Sequence, residues 1–146
     1  MSYRSEPPVA APILVVAFGG HLFGLDVATG ARLWQSEHRV GAGHVRLAIS
    51  RSRVYALRAG ELSCLDYATG RALWSTALPL FADTLLLEGE LLFAAGSGEA
   101  CRVGEDGAVL WHESFPGMGQ GNVALGVPGA AAQSDRTAAY LDGGGS

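Results

Sequence analysis

The histidines, the cysteines and two glycine-rich loops are the features of this sequence that could carry chemistry. Metal sites use close pairs such as His-x-x-x-His or Cys-x-x-Cys, and neither spacing occurs. The loops Gly41-Ala42-Gly43 and Gly119-Gln120-Gly121 could bind phosphate only before a helix N-terminus, and neither loop is followed by a predicted helix. A nucleophile-elbow motif is also lacking. The four histidines fall at unrelated positions, as expected of solvated side chains: His21, His38, His44 and His112. We therefore predict no catalytic, cofactor-binding or metal-binding residue.

A repeated segment gives the sequence its organisation. It spans residues 25–35 and again 65–75, and a more divergent copy spans residues 101–111. The residues that define the copies are Asp26, Thr29, Gly30, Trp34, Asp66, Thr69, Gly70, Trp74, Asp106, Gly107 and Trp111. A period near forty residues is typical of arrays in which each unit buries its faces against its neighbours.

Each copy predicts a tight turn between two strands. The short side chain of Asp26 or Asp66 can accept backbone N–H groups two or three residues further on. The glycine supplies the positive φ that such a loop needs. The tryptophan four residues later lies on one fixed face of its strand, and we expect all three indoles to be buried between adjacent sheets.

The rest of the chain consists of short apolar or alternating runs separated by turn residues. We predict strands at residues 13–18, 21–27, 31–35, 44–50, 54–58, 61–67, 71–76, 83–88, 91–95, 100–104 and 108–113. No segment has helical periodicity with start and stop signals. Four strands per forty residues are typical of a β-propeller blade. The predicted fold is all-β: a β-propeller-like array of four-stranded antiparallel blades, with about 3.5 repeats.

The domain organisation follows from these repeats. The predicted ranges are a polar, proline-rich arm at 1–12, repeats at 13–40, 41–80 and 81–118, a partial repeat at 119–142, and a flexible tail at 143–146. The partial repeat lacks the tryptophan strand, and the first repeat lacks its first strand.

The Leu-Asp-x-x-Thr-Gly-x-x-Leu-Trp copies at 25–34 and 65–74 resemble the repeat of quinoprotein-type β-propellers, over roughly residues 13–142. The resemblance implies blades locked together by recurrent tryptophans. Relatives that bind pyrroloquinoline quinone add adjacent cysteines, a calcium site made from Glu and Asn, and a catalytic Asp. Here Cys64 and Cys101 are far apart and no such set can be placed. The resemblance therefore implies a non-catalytic member without a cofactor.

Cys64 and Cys101 each lie six residues before a turn glycine. This shared position places them on matching strands of neighbouring blades. The geometry favours two small buried side chains over a disulfide.

An incomplete ring leaves unpaired strand edges, which proteins normally close or cover. Closure could come from the strand at 122–127 within the same chain, from a second copy, or from a separate partner chain. We favour a homodimer of half-rings, or membership of a larger assembly.

Charged residues are unevenly distributed and could register such an association. The basic residues lie in one repeat and the acidic residues in the next; the possible interface residues are Arg46, Arg51, Arg53, Arg58, Glu88, Glu90 and Glu99. The alternative is that they belong to ordinary solvated loops and outer strands.

Composition and charge restrict the class of partner. The chain has 146 residues, a net charge of −4 and a pI near 5.5, which argues against nucleic acid as the main partner. No apolar run approaches the roughly 20 residues of a membrane span. Residues 9–18 could imitate a signal peptide, but only Arg4 precedes them and no cleavage site follows, so we expect a cytoplasmic protein.

These observations favour a non-enzymatic protein-interaction or structural module. The alternatives are a propeller that binds a small molecule or a metal in its channel, and a subunit of a quinoprotein-like enzyme that needs a second chain.

Overall fold

The computed structural model of the chain describes residues 12–37, 40 and 44–133. These residues form β-strands and turns without any helix, which confirms the all-β prediction. In this part of the chain no helix could therefore cross a membrane. Most of the predicted N-terminal arm (1–11), residues 38–39 and 41–43, and the end of the partial repeat with the tail (134–146) lie outside the described residues.

Four antiparallel sheets follow one another along the chain. Sheet 1 contains β1 (Ile13–Phe18), β2 (His21–Asp26) and β3 (Arg32–Gln35). Sheet 2 contains β4 (Arg46–Ile49), β5 (Arg53–Arg58), β6 (Glu61–Asp66) and β7 (Ala72–Ala77). Sheet 3 contains β8 (Thr84–Glu88), β9 (Leu91–Gly96), β10 (Glu99–Val103) and β11 (Val109–Ser114). Sheet 4 is the hairpin of β12 (Ala124–Val127) and β13 (Ala130–Gln133).

Each strand pairs with the next strand in the sequence, so every sheet is a simple meander. Tight turns make this possible; Ala59 and Gly60, with φ of 52° and 83°, join β5 to β6. The predicted ends of the strands in the first three repeats lie within two residues of the observed ends. Sheets 2 and 3 have the predicted four strands, whereas sheet 1 has three.

The hydrophobic core lies in two layers between successive sheets. The layer between sheets 1 and 2 contains Val15, Leu22, Trp34, Val54, Ala56 and Leu65. The layer between sheets 2 and 3 includes Leu57, Leu62, Cys64, Leu92, Cys101 and Val103. Sheet 2 thus buries both of its faces against its neighbours, as a repeat array requires of an inner unit.

The first strands of successive sheets lie closest together. β4 contacts β8, and β8 contacts both β12 and β13. The sheets of a propeller are arranged around a central axis, and these strands therefore lie nearest to it. The strands β3, β7 and β11 form the outer rim. The strand at 122–127 corresponds to β12, which pairs with β13 rather than with β1 among the described strands. Within this part of the chain, closure of sheet 1 by that strand is therefore not observed.

Tyr67 of sheet 2 also reaches the start of sheet 1. The backbone N–H of Ile13 donates a hydrogen bond to the Tyr67 hydroxyl at 2.6 Å, and that hydroxyl lies 3.2 Å from the Ile13 carbonyl oxygen, to which it donates. One side chain thus binds both polar backbone groups of the first residue of β1.

Candidate functional site

The connections between the last two strands of sheets 1 and 2 have nearly the same structure. We call residues 26–31 turn 1 and residues 66–71 turn 2. The Asp26 carboxylate accepts the N–H groups of Ala28 and Thr29 at 2.7 and 3.3 Å, and the Asp66 carboxylate accepts that of Thr69 at 3.0 Å. In both turns the glycine N–H donates to the carbonyl of the aspartate at 2.8 Å.

The corresponding connection in sheet 3, residues 104–108, is turn 3, and it is one residue shorter. Six residues separate Leu65 from its partner Ala72, but only five separate Val103 from Val109. Gly104 takes the position of the aspartate in the other turns, because its N–H donates to the Ala108 carbonyl at 2.7 Å. Asp106 instead accepts the Ala108 N–H at 3.0 Å.

The indole of Trp34 joins sheet 1 to turn 2. Its Nε1–H donates to the Tyr67 carbonyl at 3.0 Å, and the side chain is only 8% exposed. The ring lies so close to Gly70 that a Cβ at that position would overlap it, and the same holds for Gly24 on the other side. The indole is therefore enclosed between a glycine of its own sheet and a glycine of the next sheet.

Trp74 makes the same type of contact one sheet further on. Its Nε1–H donates to the Glu105 carbonyl of turn 3 at 2.7 Å, and a Cβ on Gly107 would lie 2.9 Å from the ring. Tyr55 of sheet 2 also lies near the indole, with ring centroids 6.1 Å apart. Trp34 and Trp74 thus each contact the turn of the following sheet.

Trp111 differs from the other two tryptophans. It lies against Phe93 of its own sheet, with ring centroids 6.2 Å apart, and it is 46% exposed. The expectation that all three indoles are buried is therefore wrong for Trp111. The physical reason is that no turn of a following sheet covers it among the described residues. Phe115 and Met118 are exposed on the same part of the chain.

The exposure of the leucine before each tryptophan is a surface feature that the sequence analysis missed. Leu33, Leu73 and Leu110 are skipped in the pairing of β3, β7 and β11, so each forms a β-bulge. All three are exposed on the outer rim. Their repetition at one position was the available signal, but burial is the usual expectation for leucine.

Sheet 1 has an apolar face that no described sheet covers. Val15 faces sheet 2, so the alternating residues Leu14 and Phe18 face away from it. They are 53% and 75% exposed. Phe23 lies on this face too and is covered in part by the Arg32 guanidinium, 4.9 Å from its ring centroid. Exposed apolar faces of this kind mark interaction sites.

Two of the predicted interface arginines join sheets 2 and 3 within the chain. Arg46 Nε donates to the Asp83 carbonyl at 2.9 Å, and Arg53 Nη1 donates to the Glu105 carbonyl at 2.6 Å. The Glu105 carbonyl therefore accepts hydrogen bonds from both Arg53 and Trp74. The basic and acidic stretches of the sequence thus meet here inside one molecule.

A cleft of about 550 Å³ opens beside this contact, between the hairpins of sheets 2 and 3. Tyr55 and Leu87 line it together with Arg51, Arg53, Glu90 and Glu105. A hydrogen bond with the Glu105 carboxyl, and the repulsion between the two groups, raise the pKa of Glu90. The cleft can present both cationic and anionic groups to a small polar molecule.

The remaining predicted interface residues lie apart from one another. Arg58 is at the end of β5, opposite Glu61. Glu99 contacts His112, with 2.6 Å between Glu99 Oε1 and His112 Nε2. Glu88 is beside the turn of sheet 4 near Gly129. The structure therefore does not bring the seven residues into one surface.

The cysteines are both buried and free, as the sequence predicts. They lie on the matching strands β6 and β10, as predicted, but not at equivalent positions along these strands, because turn 3 is shorter. Cys64 pairs with Trp74, whereas Arg102 pairs with Trp111 and Cys101 pairs with His112. Cys64 and Cys101 thus line one core layer from opposite sides. Burial raises the pKa of the Cys64 thiol to about 11 and also raises that of Cys101.

Metal-binding clusters were also sought across the described ranges. No three His, Cys, Asp or Glu side chains there are grouped closely enough to hold a metal ion.

The fold and the tryptophan contacts define a class, a β-propeller built from PQQ-like repeats. A sequence profile described as "Outer membrane protein assembly factor BamB" matches residues 19–146. The chain therefore belongs to this family, in agreement with the resemblance found in the sequence. No match was found among curated proteins.

Solved structures share the fold at low sequence identity. BamB from Moraxella catarrhalis is 21% identical with a TM-score of 0.63, over 84% of this chain and 44% of that one. The computationally designed protein Ika8 is 19% identical with a TM-score of 0.66, over 86% and 41%. Quinohemoprotein alcohol dehydrogenase from Comamonas testosteroni is 19% identical with a TM-score of 0.51, over 72% and 20%. The chain thus spans less than half the length of each.

Proposed function

We propose that the chain is a non-enzymatic protein-interaction or structural module that completes its ring with a second copy or within a larger assembly. The uncovered apolar face of sheet 1, with Leu14 and Phe18, is the observation that carries this proposal. Covering this face with another sheet stabilises the assembly by roughly 25 cal/mol for each Å² of apolar surface removed from water.

The opposite end of the array supports the same function. Trp111, Phe115 and Met118 are exposed there. BamB from Moraxella catarrhalis and the designed protein Ika8 have chains more than twice as long as the matched region, whereas the designed protein Ika4 is matched over 80% of its chain. A ring of the size of the first two would need sheets from beyond the described ones.

A second candidate function is the binding of a small polar molecule. The cleft beside Tyr55, Arg53 and Glu90 favours it, because about 550 Å³ is within the usual range for ligand sites. Thermal unfolding in the presence of a panel of amino acids and organic acids tests this candidate. A rise in the unfolding midpoint that Arg51→Ala abolishes would support it. A subunit of a quinoprotein-like enzyme is the weakest of the alternative functions. The cytoplasmic location of the protein remains a prediction from the sequence.

Light scattering and native mass spectrometry test the proposed function. The purified chain, alone and recovered from its host, should give a species of about twice its 15.1 kDa mass or a heavier complex. Mutation of Leu14 and Phe18 together to Ser should shift this species to the monomer. A control with the exposed rim residue Leu33→Ser should leave it unchanged. A monomer at every concentration and in host extracts would contradict the proposal.

A further inference from the structure

Turn 1 is a structural duplicate of turn 2. Their glycines have φ of 77° and 76°, and both turns share the aspartate-to-glycine hydrogen bond at 2.8 Å. Each is also closed by the aspartate N–H donating at 2.8 Å to the residue after the glycine, Ala31 or Arg71. A ligand that fits turn 2 would therefore fit turn 1.

Turn 2 binds an indole and turn 1 does not. The ring of Trp34 lies on Gly70 and its Nε1–H reaches the Tyr67 carbonyl. Val27 takes the position of Tyr67 in turn 1 and is exposed. No heavy atom lies within 4 Å of the position that a Cβ on Gly30 would take. Turn 1 is thus an open indole site, formed by Gly30 and the Val27 carbonyl.

The indole of Trp111, at the other end of the array of sheets, could occupy such a site. Trp111 occupies in sheet 3 the position of Trp34 and Trp74, opposite the middle of the preceding strand. Its Nε1–H donates no hydrogen bond to any described residue, and nearly half of its surface is exposed. The contacts between sheets 1 and 2 and between sheets 2 and 3 each consist of an indole and a turn. The chain carries one further copy of each: the indole of Trp111 and turn 1.

We propose that Trp111 of one copy binds the open indole site of turn 1 on a second copy. This inference rests on the proposed function and names the contact through which association occurs. The indole packs on Gly30 and donates its Nε1–H to the Val27 carbonyl. The reciprocal contact relates the two copies by a two-fold axis, so two half-rings close without a free end.

The uncovered surfaces fit this arrangement. The hairpin of β12 and β13 covers the axis side of sheet 3 at β8 and β9 and leaves β11, with Trp111, uncovered. Sheet 1 lacks a described strand at the axis side, where β4 and β8 stand in the other sheets. The outer strands of sheet 1 would then cover the outer part of sheet 3. Leu14 and Phe18 would become buried in the same step.

Two substitutions test the two halves of the contact separately. Trp111→Ala removes the indole, and Gly30→Ala places a methyl group in the indole site. Both should reduce the association constant by at least tenfold, as measured by sedimentation across a concentration series. Gly19→Ala is the matched control, because Gly19 has a φ of 64° and nothing within 4 Å, and it lies at the other end of sheet 1. At concentrations where the unsubstituted protein is monomeric, the unfolding midpoints of the two glycine variants should fall equally, whereas at higher concentrations only Gly30→Ala should fail to associate.

A mixture of the two variants gives the sharpest result. Each variant alone lacks one member of both reciprocal contacts and should sediment as a 15.1 kDa monomer. In the mixture, Trp111 of the Gly30→Ala chain can bind the intact turn 1 of the Trp111→Ala chain. A dimer with one of each chain should therefore form, at lower affinity than the unsubstituted protein.

The outcomes separate this inference from the proposed function. Association that survives both substitutions overturns the Trp111 contact and leaves a self-associating module. Loss of association in Trp111→Ala but not in Gly30→Ala means that Trp111 binds elsewhere, and overturns the inference. A monomer without any substitution overturns both proposals.

Discussion

At the scale of residues, the tryptophan contacts depend on glycines that leave room for an indole. Gly70 has a positive φ and also lies directly under the Trp34 ring. A side chain at this position therefore has two separate costs, one in the backbone and one in packing. Turn glycines elsewhere in the chain, such as Gly89, have only the first cost, because nothing lies within 4 Å of a Cβ there.

Gly70→Ala should destabilise the protein more than Gly89→Ala. An alanine with a left-handed backbone costs roughly 1–2 kcal/mol at either position. At Gly70 the methyl group must also displace the Trp34 indole, which adds about 1–3 kcal/mol. Urea unfolding followed by circular dichroism measures the difference. Equal losses in the two variants would mean that the indole moves aside freely.

The Cys64 thiol makes the stability depend on pH in the alkaline range. Its folded pKa is about 11 against an ordinary value of 9.0, so the unfolded chain loses this proton first. The unfolding free energy should therefore be intact below pH 9 and fall as the pH rises toward 11, by about 2 kcal/mol at pH 10.5. Urea unfolding at pH 7.5 and 10.5 measures this loss. Cys64→Ala should lose less stability over that range, and an identical loss would exclude Cys64 as the cause.

At the scale of elements, each sheet is stabilised by its neighbours. Sheet 2 has a buried layer on both faces, which includes the fully buried Val54, Leu57, Leu62 and Cys64. Sheet 1 has a covered face and an open one. Stability should therefore vary along the chain, as in other repeat arrays.

Amide hydrogen exchange should reveal this gradient. We expect β5 and β6 to exchange slowest, and β1, β12 and β13 to exchange at least about 100-fold faster in dilute protein. Mass spectrometry of peptic fragments gives the rates. At concentrations where the protein associates, β1 should become more protected. Uniform exchange across the sheets would show that the array unfolds as a single unit.

The sequence predicted the strands well because alternation and turn residues are local signals. It could not predict the slip in turn 3. Cys64 and Cys101 have the same spacing to their turn glycines, so nothing in the spacing indicates that Arg102, not Cys101, lies opposite Trp111. The bulge before the tryptophan is the same in all three sheets, so the loop that is one residue shorter changes which side chain faces the next sheet.

At the scale of the whole molecule, the sequence predicted successive sheets but not which of their surfaces are exposed among the described residues. The exposure of Trp111 and the open site at Gly30 depend on which sheets are neighbours in space. The sequence likewise could not show that Arg46 and Arg53, two residues of the predicted charged interface, bind carbonyl groups of the adjoining sheet. Family membership agrees with the fold, whereas the role rests on these surfaces.

The hydroxyl of Tyr67 has a consequence for aggregation. Among the described strands β1 is an edge strand of sheet 1, and an unpaired edge would offer its backbone groups to strands of misfolded chains, as bare edges do in amyloid formation. Because Tyr67 already binds the N–H and carbonyl groups of Ile13, an incoming strand cannot form backbone hydrogen bonds with the first residue of β1. The Tyr67 phenol would thus hinder the addition of a strand at this end of β1, while the rest of the edge stays available to a native partner.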